Sequence, residues 1–288
     1  AAADPAPDLA KDQGRLMNQE KVSIITVSYN SARTLERTLQ SVLDQSYGDI
    51  EYIVVDGGST DGSRQLIERY ADRLAWWVSE PDGGISAAFN KGLARATGSL
   101  VGLLNADDCY LPDSVAAAVQ ALQAQPQAGF VFGDQWFVDE QDRILFRQTG
   151  DPDYAASIAC GMPSIPHPAT FVRAEVYRRY GEFDETYRTA MDYELLLRFH
   201  RAGVKGCYLP RPLARMRLGG ESDRNYVRAY AEVRDISVRY GLPAWQAQGL
   251  YVWRVLKTFT RRRLEQCGLV GVVRGFRTLV GRRYRYDR

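Results

Sequence analysis

Ser99-Leu100-Val101-Gly102-Leu103-Leu104-Asn105-Ala106-Asp107-Asp108 is a short apolar run that breaks abruptly into polar side chains. Ser99 to Leu104 reads as a buried strand, continuous in its apolar residues as parallel-sheet strands are. A carboxylate pair at its end cannot enter the core unless it is paired or coordinated to a metal. In open α/β sheets, ligands bind at the carboxyl ends of the strands. The stretch therefore predicts a site at a sheet mouth. Its hard oxygens suit Mg2+ or Mn2+, which take one or two carboxylates plus phosphate oxygens. The same residues also suit a polar N-cap cluster ahead of the helix that Pro112 begins.

The flanking segments extend the pattern. Lys21 to Asn30 predicts a strand, and Ser31 is placed to cap a helix carrying Leu35, Leu39, Val42 and Leu43 at helical spacing. Ile50 to Val55 predicts a second strand, Ser63 to Tyr70 a helix, Ala75 to Val78 a third strand and Ile85 to Ala96 another helix. Alternating strands and helices of this length mean an α/β fold with a mostly parallel, Rossmann-like sheet flanked by helices. Further on, Asp113 to Gln123 reads as a helix, Phe130 to Asp134 as a strand, and Gln135 to Phe146 as a hairpin. Gly150 to Pro168 reads as a long loop. Short elements follow at Ala169 to Val172, Glu175 to Tyr180, Asp192 to Ala202 and Val204 to Leu209. Beyond Leu218 the pattern is helical to the end. The expected organisation is a disordered leader over 1–20, a catalytic domain over 21–218 and a helical, basic extension over 219–288.

Composition narrows the class. Four cysteines with no CxxC spacing argue against a zinc site or a disulfide framework and fit a reducing compartment. No 18-residue apolar run is present, so no spanning helix is expected. The net charge of +2 hides an asymmetry: from Arg254 onward there are eleven basic residues against two acidic ones, so the remainder is acidic overall. In Trp245 to Arg288, arginines interleave with Trp253, Leu256, Phe259 and Leu264. Such basic amphipathic helices bind anionic membrane surfaces, although the same pattern fits a helical appendage packed on the domain. Nucleic acid is not an expected partner, because the acidic remainder offers no matching patch.

Three other groups carry candidate chemistry. Asp56 follows a buried strand and precedes Gly57-Gly58-Ser59-Thr60-Asp61-Gly62, which lacks the G-x-G-x-x-G spacing of a dinucleotide fingerprint. It either bonds a base or ribose, or caps its own turn. Asp192 opens a helix, where an N-cap role is commonest and where the dipole would hold it ionised. His167 lies between prolines in a loop.

Together the motifs resemble the family 2 glycosyltransferases with the GT-A fold. They are Ile25-Thr26-Val27-Ser28-Tyr29-Asn30, Val54-Val55-Asp56-Gly57-Gly58-Ser59-Thr60-Asp61-Gly62, Ser79-Glu80-Pro81-Asp82-Gly83-Gly84-Ile85 and Asn90-Lys91-Gly92. Asn105-Ala106-Asp107-Asp108 falls at the D-x-D position, followed by His167-Pro168-Ala169-Thr170-Phe171, Met191-Asp192-Tyr193-Glu194-Leu195 and Gly219-Gly220-Glu221-Ser222. Within the family, the resemblance is to transferases of bacterial surface polysaccharides, of the colanic-acid and O-antigen type.

The resemblance implies roles. Val27, Tyr29 and Asp56 would cradle the base of a nucleotide sugar, a UDP-sugar by preference, with Asp82 and Asn90 nearby and Asn105 and Ala106 on the donor. Asp107, with Asp108, would bind Mn2+ or Mg2+. The first D-x-D position departs from the family pattern, because Asn105 brings no charge. Asp192 matches the catalytic base of an inverting displacement, and His167 would line the acceptor side or approach the metal. Gly219 to Ser222 would form a mobile flap, with Arg215 or Arg217 reaching the phosphates. The acceptor would be a lipid-linked saccharide, and the protein would sit in the cytoplasm against the inner face of the cell membrane. The rival reading is a catalytically inactive scaffold that binds a sugar nucleotide in a polysaccharide assembly complex.

Overall fold

The computed structural model describes residues 20–218, 225–267 and 284–285. Four parallel strands build its N-terminal half: β1 (Val22–Ser28), β2 (Ile50–Asp56), β3 (Trp76–Ser79) and β4 (Leu100–Asn105), in the order β3-β2-β1-β4. The helices α1 (Leu35–Leu43), α2 (Ser63–Arg69) and α3 (Ile85–Leu93) return the chain between them. These strands are predominantly apolar because both sheet faces are covered. Ile25, Val27, Ile53, Val55, Val101 and Leu103 point to one face and pack with Phe89 of α3. Val22, Ile24, Tyr52, Val54, Leu100 and Leu104 point to the other and pack with Leu35 and Leu39 of α1. This period-two split is what an extended chain imposes.

The second half comprises β5 (Cys109–Tyr110), α4 (Ser114–Ala124), β6 (Ala128–Val138), β7 (Ile144–Gln148), α5 (Tyr154–Ser157), β8 (Thr170–Arg173), α6 (Ala174–Tyr180), α7 (Met191–Arg201) and β9 (Lys205–Arg217). The expected α/β architecture is present, but parallel pairing dominates only the first half. β8 is antiparallel to both β4 and β6, and β7 is antiparallel to β6. β9 runs parallel to β6 and antiparallel to β5. The strand expected over Val204 to Leu209 therefore continues to Arg217. Pro210 and Pro212 interrupt the apolar pattern without ending the strand, and the β6 register shifts between Phe132 and Asp134, and again before Gln135, to accommodate the change.

The C-terminal segment forms α8 (Tyr226–Arg239) and α9 (Ala244–Gln266), and Tyr284–Arg285 forms β10, antiparallel to β7. The expectation of helix to the end is thus corrected, since the chain returns to the sheet edge. The leader up to residue 19 and the Gly219 to Ser222 flap lie outside the described residues. Ser31 does not cap α1. Thr34 is the N-cap residue, and the Ser31 hydroxyl instead donates to the Tyr29 carbonyl at 3.1 Å. Among the described residues no helix is long and apolar enough to cross a membrane.

Two features hold the parallel strands in register. At the end remote from the loops, Glu51 accepts from Ser23 Oγ (2.5 Å), Thr97 N (2.7 Å) and Thr97 Oγ1 (2.7 Å) and pairs with Lys21. Burial alone would raise this carboxyl, but the bonds outweigh it and hold it at about 2. Ionised Glu51 stabilises the fold above the ordinary carboxylate range, and that contribution fades only as pH falls toward 2. In mid-sheet, a Cβ on Gly102 would come within 2.6 Å of Tyr110 Oη and 2.8 Å of a Phe171 ring carbon. Gly102→Ala is therefore expected to cost about 1–3 kcal/mol through overpacking, read as a lowered urea midpoint with an unchanged slope.

Candidate active site

The parallel register sets three strand ends side by side: Val27 is opposite both Val55 and Asn105, and Ser28 is opposite Asp56. The loops beyond them are fastened together. Asn30, at φ 49°, donates its N–H to Ser59 Oγ at 2.7 Å and accepts from Thr60 N at 3.0 Å, and Ala32 N donates to Asp61 Oδ2 at 2.9 Å. A cleft of about 1170 Å³ opens over these ends. Its wall brings together Val27, Tyr29, Asp82, Asn105, Ala106, Asp107, Asp108, His167, Asp192 and Arg217, which are spread over 191 positions of the chain.

Part of the cleft is a slot. A Cβ on Gly57 would lie 3.1 Å from Asp82 Oδ2 and 3.3 Å from the Tyr29 ring, so the three residues converge and only glycine leaves the slot open. Tyr29 is 68% exposed, an accessible flat face. Asp82 is oriented by the Gly84 N–H, which donates to it at 2.7 Å. Two of the donor-side candidates lie off the wall. Asp56 is fully buried beneath Gly57, where its carboxylate accepts from Ser59 N (2.9 Å), Ser59 Oγ (2.5 Å) and Ser79 Oγ (2.7 Å). These are the bonds its turn-capping reading requires. Asn90 is likewise occupied. It exchanges bonds with the backbone of Phe183 and donates to Glu185 at 3.0 Å, so it holds the loop before α7.

The cleft is acidic where β4 ends. Asp107 and Asp108 follow β4, and Asp108 is 2% exposed. Burial, with Asp107 adding repulsion, pushes the Asp108 carboxyl well above the usual range, and burial also raises Asp107. Arg217 opposes both shifts. Its backbone N–H donates to Asp108 Oδ1 at 3.3 Å, while its Nη1 donates to the Asp139 carbonyl. A buried and a half-buried carboxylate with so little counter-charge fit a hard divalent cation. Among the described residues no group of three His, Cys, Asp or Glu could cage one, so the protein would supply these carboxylates and leave the remaining positions to phosphate and water oxygens. Asn105 Nδ2 faces Asp108 at 3.4 Å. Arg215 does not reach the cleft; its guanidinium donates to Asp142 at 3.1 Å.

The wall also carries Asp192 and His167. Asp192 is not the N-cap of α7. Ala190 holds that position, and Asp192 lies in the first turn with its Oδ1 accepting the Tyr193 N–H at 2.8 Å. The helix start was expected to keep it ionised and weakly basic. Burial wins instead and raises its carboxyl, with His167 opposing. His167 begins a short 3-10 turn and packs against Phe89 at 5.4 Å between ring centroids. Its Nε2 is buried with no hydrogen-bond partner among the described residues, and burial lowers its basicity while Asp192 raises it. A neutral imidazole thus stands beside a carboxylate of raised basicity.

Sequence reading missed part of the wall. Arg188 and Thr189 line the cleft from the loop before α7, and Arg188 Nη1 donates to the Gly83 carbonyl across it. Phe137 and Glu140 come from the β6–β7 hairpin and Met216 and Leu218 from the end of β9. The hairpin was legible, but its position over the cleft depends on β6 pairing with β9, a long-range contact with no local signal.

Comparison with known proteins gives a consistent result. The family model described as glycosyl transferase family 2 matches residues 23–194. An uncharacterized glycosyltransferase of Mycobacterium tuberculosis is 37% identical over 62% of this chain and 68% of its own length. The O-antigen biosynthesis protein RfbC of Myxococcus xanthus is 28% identical over 76% of this chain, which spans 18% of that protein. Among solved structures, the mannosyltransferase PcManGT of Pyrobaculum calidifontis, in complex with GDP-Man and Mn2+, superposes with a TM-score of 0.62 at 20% identity, covering 91% of this chain and 81% of that one. S. aureus TarS 1–349 in complex with UDP-GlcNAc does so with a TM-score of 0.58 at 16% identity, covering 85% and 73%. At these identities the two structures share the fold, here the GT-A fold.

Proposed function

The chain belongs to glycosyl transferase family 2, and from that premise we propose that it is an inverting, metal-dependent transferase moving a sugar from a nucleotide donor, preferentially a UDP-sugar, to a growing, lipid-linked glycan of a bacterial surface polysaccharide. The observation that carries this reading is the gathering of three groups on one cleft: the Tyr29–Gly57–Asp82 slot, the Asp107–Asp108 pair, and Asp192 with His167. These are groups suited to a base, a diphosphate and a reacting sugar.

In this reading Tyr29 offers a stacking face to the base, and Asp82 accepts from it. Asp56 acts one layer below, keeping the Ser59 turn and Gly57 in place. Asn105 bonds the ribose, and the backbone at Ala106 lies along the donor. Asp107 and Asp108 would hold Mn2+ or Mg2+, which when bound supplies positive charge against the departing diphosphate. Arg217 orients Asp108 and adds its own charge to that part of the cleft. Asp192 removes the proton from the acceptor hydroxyl as that oxygen attacks the anomeric carbon. His167, neutral at physiological pH, lines the acceptor side. The screen that tests the reading follows nucleoside diphosphate release from UDP-, GDP- and dTDP-sugars with Mn2+, Mg2+ or EDTA. Metal-dependent turnover of one donor supports it; silence across the panel with no donor-induced thermal shift favours the scaffold.

The same proposal places the protein on the cytoplasmic face of the membrane. Trp245, Val252, Leu256 and Phe259 share one stripe of α9, with Trp253 beside it, and they are 43–79% exposed. Lys257 and Arg263 are exposed on the same helix, in the most basic part of the chain. Apolar side chains bordered by cations suit an anionic bilayer surface. Leu256→Ala with Phe259→Ala is expected to weaken co-sedimentation with phosphatidylglycerol-containing vesicles at least about tenfold, because each large side chain buried is worth roughly 1.5–3 kcal/mol.

A further inference from the structure

We propose that Glu232, on α8 and outside the segment that the family model matches, is a positioning residue for Asp192: its carboxylate gathers the backbone that leads into α7 and so fixes where the catalytic carboxylate stands. The inference rests on the reading of Asp192 as the base.

Glu232 Oε2 accepts from Arg188 N (3.1 Å), Thr189 N (2.8 Å), Thr189 Oγ1 (2.8 Å) and Ala190 N (3.0 Å). Its Oε1 takes Arg228 Nε at 3.1 Å. The helix it serves has no cap of its own, because Ala190, the N-cap residue, carries no polar side chain. Glu232 supplies an acceptor from 42 residues away. Burial would raise this carboxyl, but the N–H bonds prevail and hold it below the usual range, so it stays anionic at a helix start, where negative charge is favoured.

The gathered backbone is held from the cleft side as well. Arg188 Nη1 donates to the Gly83 carbonyl, and Ser86 Oγ donates to the Tyr187 carbonyl at 3.3 Å. The loop is therefore clamped between the donor slot on one side and α8 on the other, two residues ahead of Asp192. Rigid placement of this kind matters because small misplacements of a reacting group cost large factors in rate. Other contacts tie α8 to α7 without Glu232: Ser237 Oγ and Tyr193 Oη lie 2.9 Å apart, and Tyr240 Oη donates to Glu194 at 2.5 Å. Loss of the carboxylate should thus loosen the loop and leave α8 docked.

The test compares full-length wild type, Glu232→Ala and Glu232→Gln. The glutamine variant keeps the shape and one acceptor oxygen if alanine folds poorly. Amide hydrogen exchange of residues 186–192 is read together with kcat and donor KM, using the UDP-, GDP- or dTDP-sugar that the wild type turns over with Mn2+. Expected for alanine are exchange at 188–190 at least about tenfold faster, kcat at least about tenfold lower and donor KM within about threefold, with glutamine intermediate. Unchanged exchange overturns the clamp. Faster exchange with unchanged kcat overturns its positioning role. Asp192→Asn runs beside them: wild-type turnover there would sink the base reading, while the exchange data would still report the clamp.

Discussion

Asp192→Asn is expected to lower turnover by about 10²–10⁴-fold, the usual contribution of a positioned general base, and to leave donor affinity within about twofold. The substitution keeps the size of the side chain and its acceptor for the Tyr193 N–H, so the fold has little to lose. What it removes is the proton sink. Burial raises the wild-type carboxyl, which improves it as a base and fixes the direction of its pH dependence. The base works only when ionised. Wild-type kcat should therefore fall as pH drops through a value above the ordinary aspartate range and stay level above it. Residual turnover in the asparagine variant should lack that limb. Equal kcat in both proteins across pH 5 to 8 would remove Asp192 from the chemistry.

Asp107→Ala should abolish metal-stimulated turnover and the thermal shift that donor plus Mn2+ produces, a loss of at least about 10³-fold in kcat/KM given what charge stabilisation of a leaving group contributes. The apo protein should behave in the opposite way. Two adjacent carboxylates, Asp108 buried and Asp107 half-buried, whose pKa values are raised on folding destabilise the folded state above those values. Removing one of them relieves that cost, so the apo melting temperature should rise or hold at neutral pH while function is lost. This opposition is expected where strain is kept for a ligand. A lower apo melting temperature together with retained metal stimulation would move the cation elsewhere.

The strand ends were legible because β1, β2 and β4 are buried on both faces and stop at polar residues, so the pattern along the chain points to the sheet mouth. Asp107, Asp108 and Asp192 could be proposed from their place at the ends of elements. Less was legible where a residue's partner is remote. The carboxylate of Asp56 faces a slot in sequence terms, yet Ser59 and Ser79 take it. Asn90 lies in a motif but bonds a loop 93 positions away. The basicity of Asp192 came out reversed because the helix dipole is a local effect, whereas burial comes from the folded surroundings and outweighs even the opposing His167. Arg188 and Glu232 carry no motif at all. Their contacts join segments far apart in the chain.

The central claim is direct displacement at the anomeric carbon with Asp192 as base, and the product's configuration tests it most directly. Proton NMR of the first sugar released from an α-linked nucleotide sugar, recorded before mutarotation, reads it even with water as acceptor. The account predicts the β anomer, formed by the wild type and nearly absent with Asp192→Asn. Release of the α anomer would mean retention of configuration and would contradict a single displacement.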